Sequence, residues 1–148
     1  MPTRSLSIED RKLNTGAKIT ASSNRFYSDI DLSFKKKKNG DIFKKTDANA
    51  VKQAVKNLIL TNHYEKPFSP FFGGNIREML FDLADEDIEE DAEERIIEAI
   101  NIFEPRALVQ TVNVKSDPDR NSLNVYIEFQ VINTTEVIIF TTTLSRLR

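Results

Sequence analysis

The sequence predicts an α+β domain, a mainly antiparallel sheet formed by an N-terminal hairpin and a C-terminal meander, with about three helices packed on it. Three observations predict this. Apolar and polar residues alternate early in the chain and again late in it, which is the period of half-buried strands. Between these regions the apolar spacing changes to that of helical faces. Asn-Gly, Pro and Gly-Gly breakers fall between the patterned segments.

The residues support each element in order. Positions 1–25 are polar and aperiodic and end in the small run Thr20-Ala21-Ser22-Ser23-Asn24, so an N-terminal arm is expected there and one domain over 26–148. Ile30, Leu32 and Phe34 alternate with Asp31, Ser33 and Lys35, predicting a strand. Asn39-Gly40 then suits a hairpin turn, with a short return arm at Asp41-Ile42-Phe43-Lys44. Thr46 or Asp47 is placed to cap a helix with Val51, Val55, Leu58 and Ile59 on one face, fading near Asn62. Pro67, Pro70, Gly73 and Gly74 break the chain. Asn75 is placed to cap a second, shorter helix burying Ile76, Met79, Leu80 and Leu83. The acidic run from Asp82 to Glu94 opens a third helix with Ile88, Ala92, Ile96, Ala99, Ile100 and Phe103 on its apolar face. Pro105 stops it. Leu108, Val112 and Val114 share an extended run, and 116–121 is a turn cluster. Leu123, Val125, Ile127, Phe129 and Val131 alternate cleanly with polar residues, and Val137 to Leu144 is a last strand.

Composition removes several functions. There is no cysteine and one histidine, His63, which leaves no thiolate chemistry and no multi-histidine metal centre. The formal net charge is -2, with no concentrated positive field of the kind nucleic acid demands. No stretch has the roughly 20 apolar residues that span a bilayer, and the first residues do not read as a secretory signal. Neither nucleic acid nor membrane is expected as a partner.

Catalytic signals are weak. A glycosidase-like pair needs one carboxyl raised by an apolar pocket and a second about 5–10 Å away. The carboxylates between Asp82 and Glu94 read instead as a solvated helix face, and Glu104 and Glu128 have no evident mates. His63 reads as a helix-end or surface residue. Gly73-Gly74 lacks the Lys-Ser/Thr of a phosphate loop. Lys35–Lys38 reads as a solvated hairpin tip that blocks edge pairing, with contact to an acidic partner or DNA as the alternative. Asn133-Thr134-Thr135 matches a glycosylation sequon without a secretion signal beside it. No catalytic residue, metal or cofactor is expected.

Two segments carry a resemblance. The first runs from Thr61 to Asp82, with Pro70-Phe71-Phe72-Gly73 ahead of a helix ending Leu80-Phe81-Asp82. The second is Glu104-Pro105-Arg106, after Ile102-Phe103 and before a Val-rich strand. Together, over roughly residues 26–144, they resemble the contractile phage-tail baseplate wedge family, relatives of the sheath-initiating subunit of type VI secretion and once labelled lysozyme-like. The resemblance implies a structural, non-enzymatic protein of the virion tail baseplate, made in the host cytoplasm. It implies six copies around the tail tube. Its partners would be other baseplate wedge proteins and the tail sheath protein, with the tube a further contact. Glu104, Pro105 and Arg106 would dock on the wedge core. Val137, Ile139, Thr141 and Thr143 would line an edge strand on which the first sheath ring assembles. From residues alone, Glu104 and Arg106 read as an ion pair closing a helix end, and the last strand as an ordinary edge. Two other functions stay open: a lysozyme-like peptidoglycan hydrolase and a small cytosolic protein-binding regulator.

Overall fold

The computed structural model describes residues 27–81, 87–132 and 134–146. The arm expected over 1–25 lies outside these residues. Among the described residues there are two antiparallel sheets and two α-helices.

The N-terminal hairpin pairs β1 (Ser28–Ile30) with β2 (Lys44–Thr46), Ser28 opposite Thr46 and Ile30 opposite Lys44. It forms its own two-stranded sheet and does not join the meander. The strand expected through Phe34 stops at Ile30. Asp31 is the reason: its carboxylate accepts from the Ser33 N–H at 3.0 Å and its carbonyl from the Phe34 N–H at 3.1 Å, giving the backbone a local turn in place of a ladder. Ile30, Leu32 and Phe34 are consequently exposed, not half-buried. A turn does form at Asn39-Gly40, but only Gly40 of the pair takes a positive φ (85°); the Gly40 N–H bonds to the Lys37 carbonyl and the Lys37 N–H to the Asp41 carbonyl.

Helix α1 (Ala48–Leu60) buries Val51, Val55, Leu58 and Ile59. Asp47 occupies its N-cap position without a side-chain cap bond; its carboxylate instead accepts from the Tyr27 N–H at 3.4 Å, tying the hairpin to the helix start. At the other end the Thr61 hydroxyl donates to the Asn57 carbonyl at 2.6 Å. The following loop folds back under that end. Gly73 (φ 116°) lies so close to Thr61 that a Cβ would sit 2.2 Å from the Thr61 carbonyl oxygen.

The second helix expected after Asn75 is a single 3-10 turn, Glu78–Phe81, so the protein has two α-helices among the described residues and not about three. Its bonds run from Met79 N–H to Ile76 carbonyl and from Leu80 N–H to Arg77 carbonyl, the i+3 pattern. One turn is enough to bury Ile76, Met79 and Leu80. Leu83 lies outside the described residues.

Helix α2 (Ile88–Phe103) buries Ile88, Ala92, Ile96, Ala99 and Ile100, while Phe103, expected on the same apolar face, is exposed at the helix end with its ring edge-on to Phe72. Pro105 ends it by pushing Glu104 to φ -132°, ψ 66°. The meander follows: β3 (Ala107–Asp117), a 3-10 turn at Pro118–Arg120, β4 (Ser122–Val131) and β5 (Val137–Ser145), in spatial order β3-β4-β5. Leu123, Val125, Ile127, Phe129 and Val131 all point from β4 into one core with the helices. A bulge between Val109 and Thr111 reverses the phase of β3. Leu108 is therefore exposed while Val114 is buried, although the sequence places both on one face.

The two positive-φ glycines give a test. Gly40 has open space where a Cβ would go, so Gly40→Ala should cost only the left-handed strain, about 1–2 kcal/mol. Gly73→Ala adds a backbone collision and should lower stability by a clearly larger amount in urea unfolding.

Candidate partner-docking surface

Glu104, Pro105 and Arg106 form a tight turn, closed by the Ala107 N–H on the Glu104 carbonyl at 3.0 Å. The Glu104 side chain is buried and holds Arg106 in a two-pronged pair, Nε to Oε1 at 2.5 Å and Nη2 to Oε2 at 2.7 Å. These bonds raise the guanidinium's hold on its proton above the ordinary arginine value, against the opposing effect of burial. The guanidinium carbon lies 5.0 Å from the centre of the Tyr27 ring. Pro105 is exposed at the apex. The ion pair anticipated from the residues alone is thus present.

β5 is an edge strand, and Val137, Ile139, Thr141 and Thr143 are all exposed on it. The inter-strand register sets them in rows across the face of the sheet opposite the core. Leu108, Gln130 and Val137 make one row, and Thr111, Glu128 and Ile139 the next. Leu108 was missed as a member of this face because the bulge leaves no clear signal in the alternation. The Arg146 N–H bonds to the Asn121 carbonyl, while the Ile139 carbonyl is taken by the Lys52 ammonium at 2.8 Å from outside the sheet. By antiparallel alternation, the backbone groups of residues 137, 139, 141 and 143 point away from β4. These four residues thus offer side chains to the open face and backbone groups to the open edge.

The other edge is closed. Glu93 of α2 accepts from the Val114 N–H at 2.8 Å, and Glu89 accepts from the Ser116 N–H at 2.8 Å and its hydroxyl at 2.9 Å. Lys115 reaches the second Glu89 oxygen at 3.1 Å. The backbone bond from Ser116 is the main cause that holds the Glu89 carboxyl below the ordinary glutamate range. The expectation of a simply solvated acidic face is corrected here: two of its glutamates satisfy outward N–H groups of β3.

No arrangement for hydrolysis emerges from the described carboxylates. Glu104 is spent on Arg106. Asp31 and Glu89 are both shifted downward by hydrogen bonds to Ser33 and Ser116, the wrong direction for a general acid. His63 packs edge-on against Phe71. Among the described residues no group of three or more His, Cys, Asp or Glu could hold a metal, and no helix is long and apolar enough to cross a membrane.

Comparison with known proteins identifies the family. The family model for baseplate wedge protein gp25 matches residues 45–136. The chain belongs to the baseplate wedge protein gp25 family. Baseplate wedge protein gp25 of Enterobacteria phage T4 is 32% identical over 113 residues, covering 76% of this chain and 86% of that protein. Two solved structures share the fold. One, described as a putative tail lysozyme from Geobacter sulfurreducens, has a TM-score of 0.58 and 19% identity, over 66% of this chain and 89% of that one. The other belongs to the anti-feeding prophage baseplate, with a TM-score of 0.57 and 18% identity, over 79% of this chain and 83% of that one. The family match includes both helices, β3, β4 and Glu104-Pro105-Arg106, and ends just before β5.

Two predictions follow from this geometry. Arg106→Ala leaves the Glu104 carboxylate, 6% exposed, without its partner, and should lower stability by about 1–3 kcal/mol in urea unfolding. The double variant Glu104→Leu, Arg106→Met removes both charges and should cost less than the single one. The second concerns acid. Glu89 binds its proton less tightly folded than unfolded, so its contribution is complete above the ordinary value of 4.5 and is lost as the pH falls below it. Between about pH 5 and pH 3, Glu89→Gln should lose stability less steeply than the parent protein, as read by thermal unfolding.

Proposed function

We propose that this chain is a structural subunit of the inner baseplate of a contractile tail, acting by binding other proteins. In this reading the Glu104-Pro105-Arg106 turn docks on the wedge core. The edge and open face at Val137, Ile139, Thr141 and Thr143 receive a strand of the tail sheath protein, so that the first sheath ring is templated on the subunit. Six copies would surround the tail tube in the virion. Family membership supports the baseplate assignment. The observation that carries the docking reading is the asymmetry of the sheet: β3 has outward N–H groups sealed by Glu89 and Glu93, while β5 presents its edge with Ile139 about half exposed beside it. An added strand completes the hydrogen bonding that such an edge lacks.

The test is co-expression with the neighbouring wedge proteins, comparing wild type with the Glu104→Leu, Arg106→Met double variant. The double variant is preferred to Arg106→Ala because it leaves no buried unpaired carboxylate. Co-purification of wild type and at least tenfold less recovery of a folded double variant are expected. Equal recovery would remove the turn as the docking point. Absence of any complex with wild type, together with clearing of a cell-wall suspension abolished by one Glu substitution, would replace the structural reading with the hydrolase one.

A further inference from the structure

Beside the open edge lies a groove of about 630 Å3. Helix α1 contributes Asn49, Lys52 and Lys56, the hairpin contributes Asp31 and Lys45, and β5 contributes Thr141. Three lysines and one aspartate therefore line it. Asp31 is already engaged, with Ser33 and with Lys45 at 3.6 Å. The groove is thus positive in a chain whose formal net charge is -2. Lys52 and Lys56 stand one helical turn apart, about 6 Å of rise, close to the roughly 6.6–6.8 Å between alternate residues of a strand. Lys52 also occupies the Ile139 carbonyl, the acceptor that an added strand would use.

We propose that this groove selects the strand added to β5, taking an extended segment with carboxylates at alternate positions. The proposal rests on the reading of β5 as the docking edge. As the incoming strand's N–H takes the Ile139 carbonyl, the Lys52 ammonium passes to one carboxylate of that strand. Lys56 takes the next, two residues along. Lys52 thereby guards the edge in the free subunit and favours an acidic partner when the edge is occupied.

The test uses the full chain and two labelled nine-residue peptides, Thr-Glu-Val-Glu-Thr-Glu-Val-Glu-Thr and its Gln-for-Glu counterpart, followed by fluorescence anisotropy. The Glu peptide should bind at least tenfold tighter than the Gln peptide at low salt, and the difference should collapse near 0.5 M salt, where screening is about 4 Å. Lys52→Met with Lys56→Met should bring the Glu peptide down to the Gln level without weakening the Gln peptide. Thr141→Pro, which removes an outward N–H, should abolish binding of both peptides. Equal affinity of the two peptides, both lost in Thr141→Pro, would overturn the charge selection and leave strand addition standing. Glu-peptide binding that survives Thr141→Pro, or that inorganic phosphate displaces at equal charge, would make the groove an anion site and would sink the strand-addition reading as well. No binding of the Glu peptide overturns the proposal. So does a dimer of the chain alone, in sedimentation velocity, that Lys56→Glu dissolves, because the groove then belongs to a second copy.

Discussion

Everything in this molecule depends on how a three-stranded sheet disposes of its two edges. An edge strand carries a row of backbone donors and acceptors that water satisfies only while no other strand is near. With β4 in the centre, β3 and β5 both face this problem. β3 is answered from within: α2 lies against it and supplies the carboxylates of Glu89 and Glu93 to the N–H groups of Ser116 and Val114. Ionised acceptors on backbone donors are among the stronger protein hydrogen bonds, so this closure is firm at neutral pH. Along β5, helix α1 instead brings the Lys52 ammonium to one carbonyl, that of Ile139.

Helix α2 also sets the Glu104-Pro105-Arg106 turn. α2 needs to end where β3 begins, and Pro105 enforces the end. The chain then turns within four residues, and the turn buries the Glu104 carboxylate. A buried carboxylate alone would be costly, and the neighbouring Arg106 offsets that cost with two bonds while the Tyr27 ring covers the guanidinium. Tyr27 is itself held by Asp47, whose N–H donates to the Tyr27 carbonyl and whose carboxylate accepts from the Tyr27 N–H. The hairpin, the start of α1 and the end of α2 are thereby joined at one place, with Pro105 exposed at its tip.

Much of this was legible in the residues. The faces of both α-helices, the alternation of β4 and the stop at Pro105 were all readable, because each rests on a period or a stereochemical rule that needs no partner. What escaped depends on side chains competing for backbone groups. Asp31 halts a strand that the alternation of Ile30, Leu32 and Phe34 prolongs. Burial of only Ile76, Met79 and Leu80 is satisfied by a single 3-10 turn, so the apolar spacing that suggested a helix did not require one. The bulge near Gln110 moves Leu108 to the open face, and one inserted residue leaves little trace in a short run. Glu89 and Glu93 look like any solvated acids until β3 is laid beside them. At the candidate site, Glu104 and Arg106 were visible as a pair, while the link from Lys52 to Ile139 joins residues 87 positions apart and has no sequence signal.

The two features lie at one end of the sheet. Arg106 precedes Ala107, which stands opposite Val131, and Val137 stands opposite the adjacent Gln130. The turn is on the β3 side and the open edge on the β5 side, two strand spacings or about 10 Å apart. Between them runs β4, whose buried residues lock it to both helices. The turn and the edge are therefore held in a relation set by a packed core and not by loops. The template role proposed above requires such stiffness, because an angular error in one subunit is passed to every layer built on it. Closure of the β3 edge serves the same end. With one edge sealed, an added strand has a single place and a single direction of growth, away from the side that carries the turn.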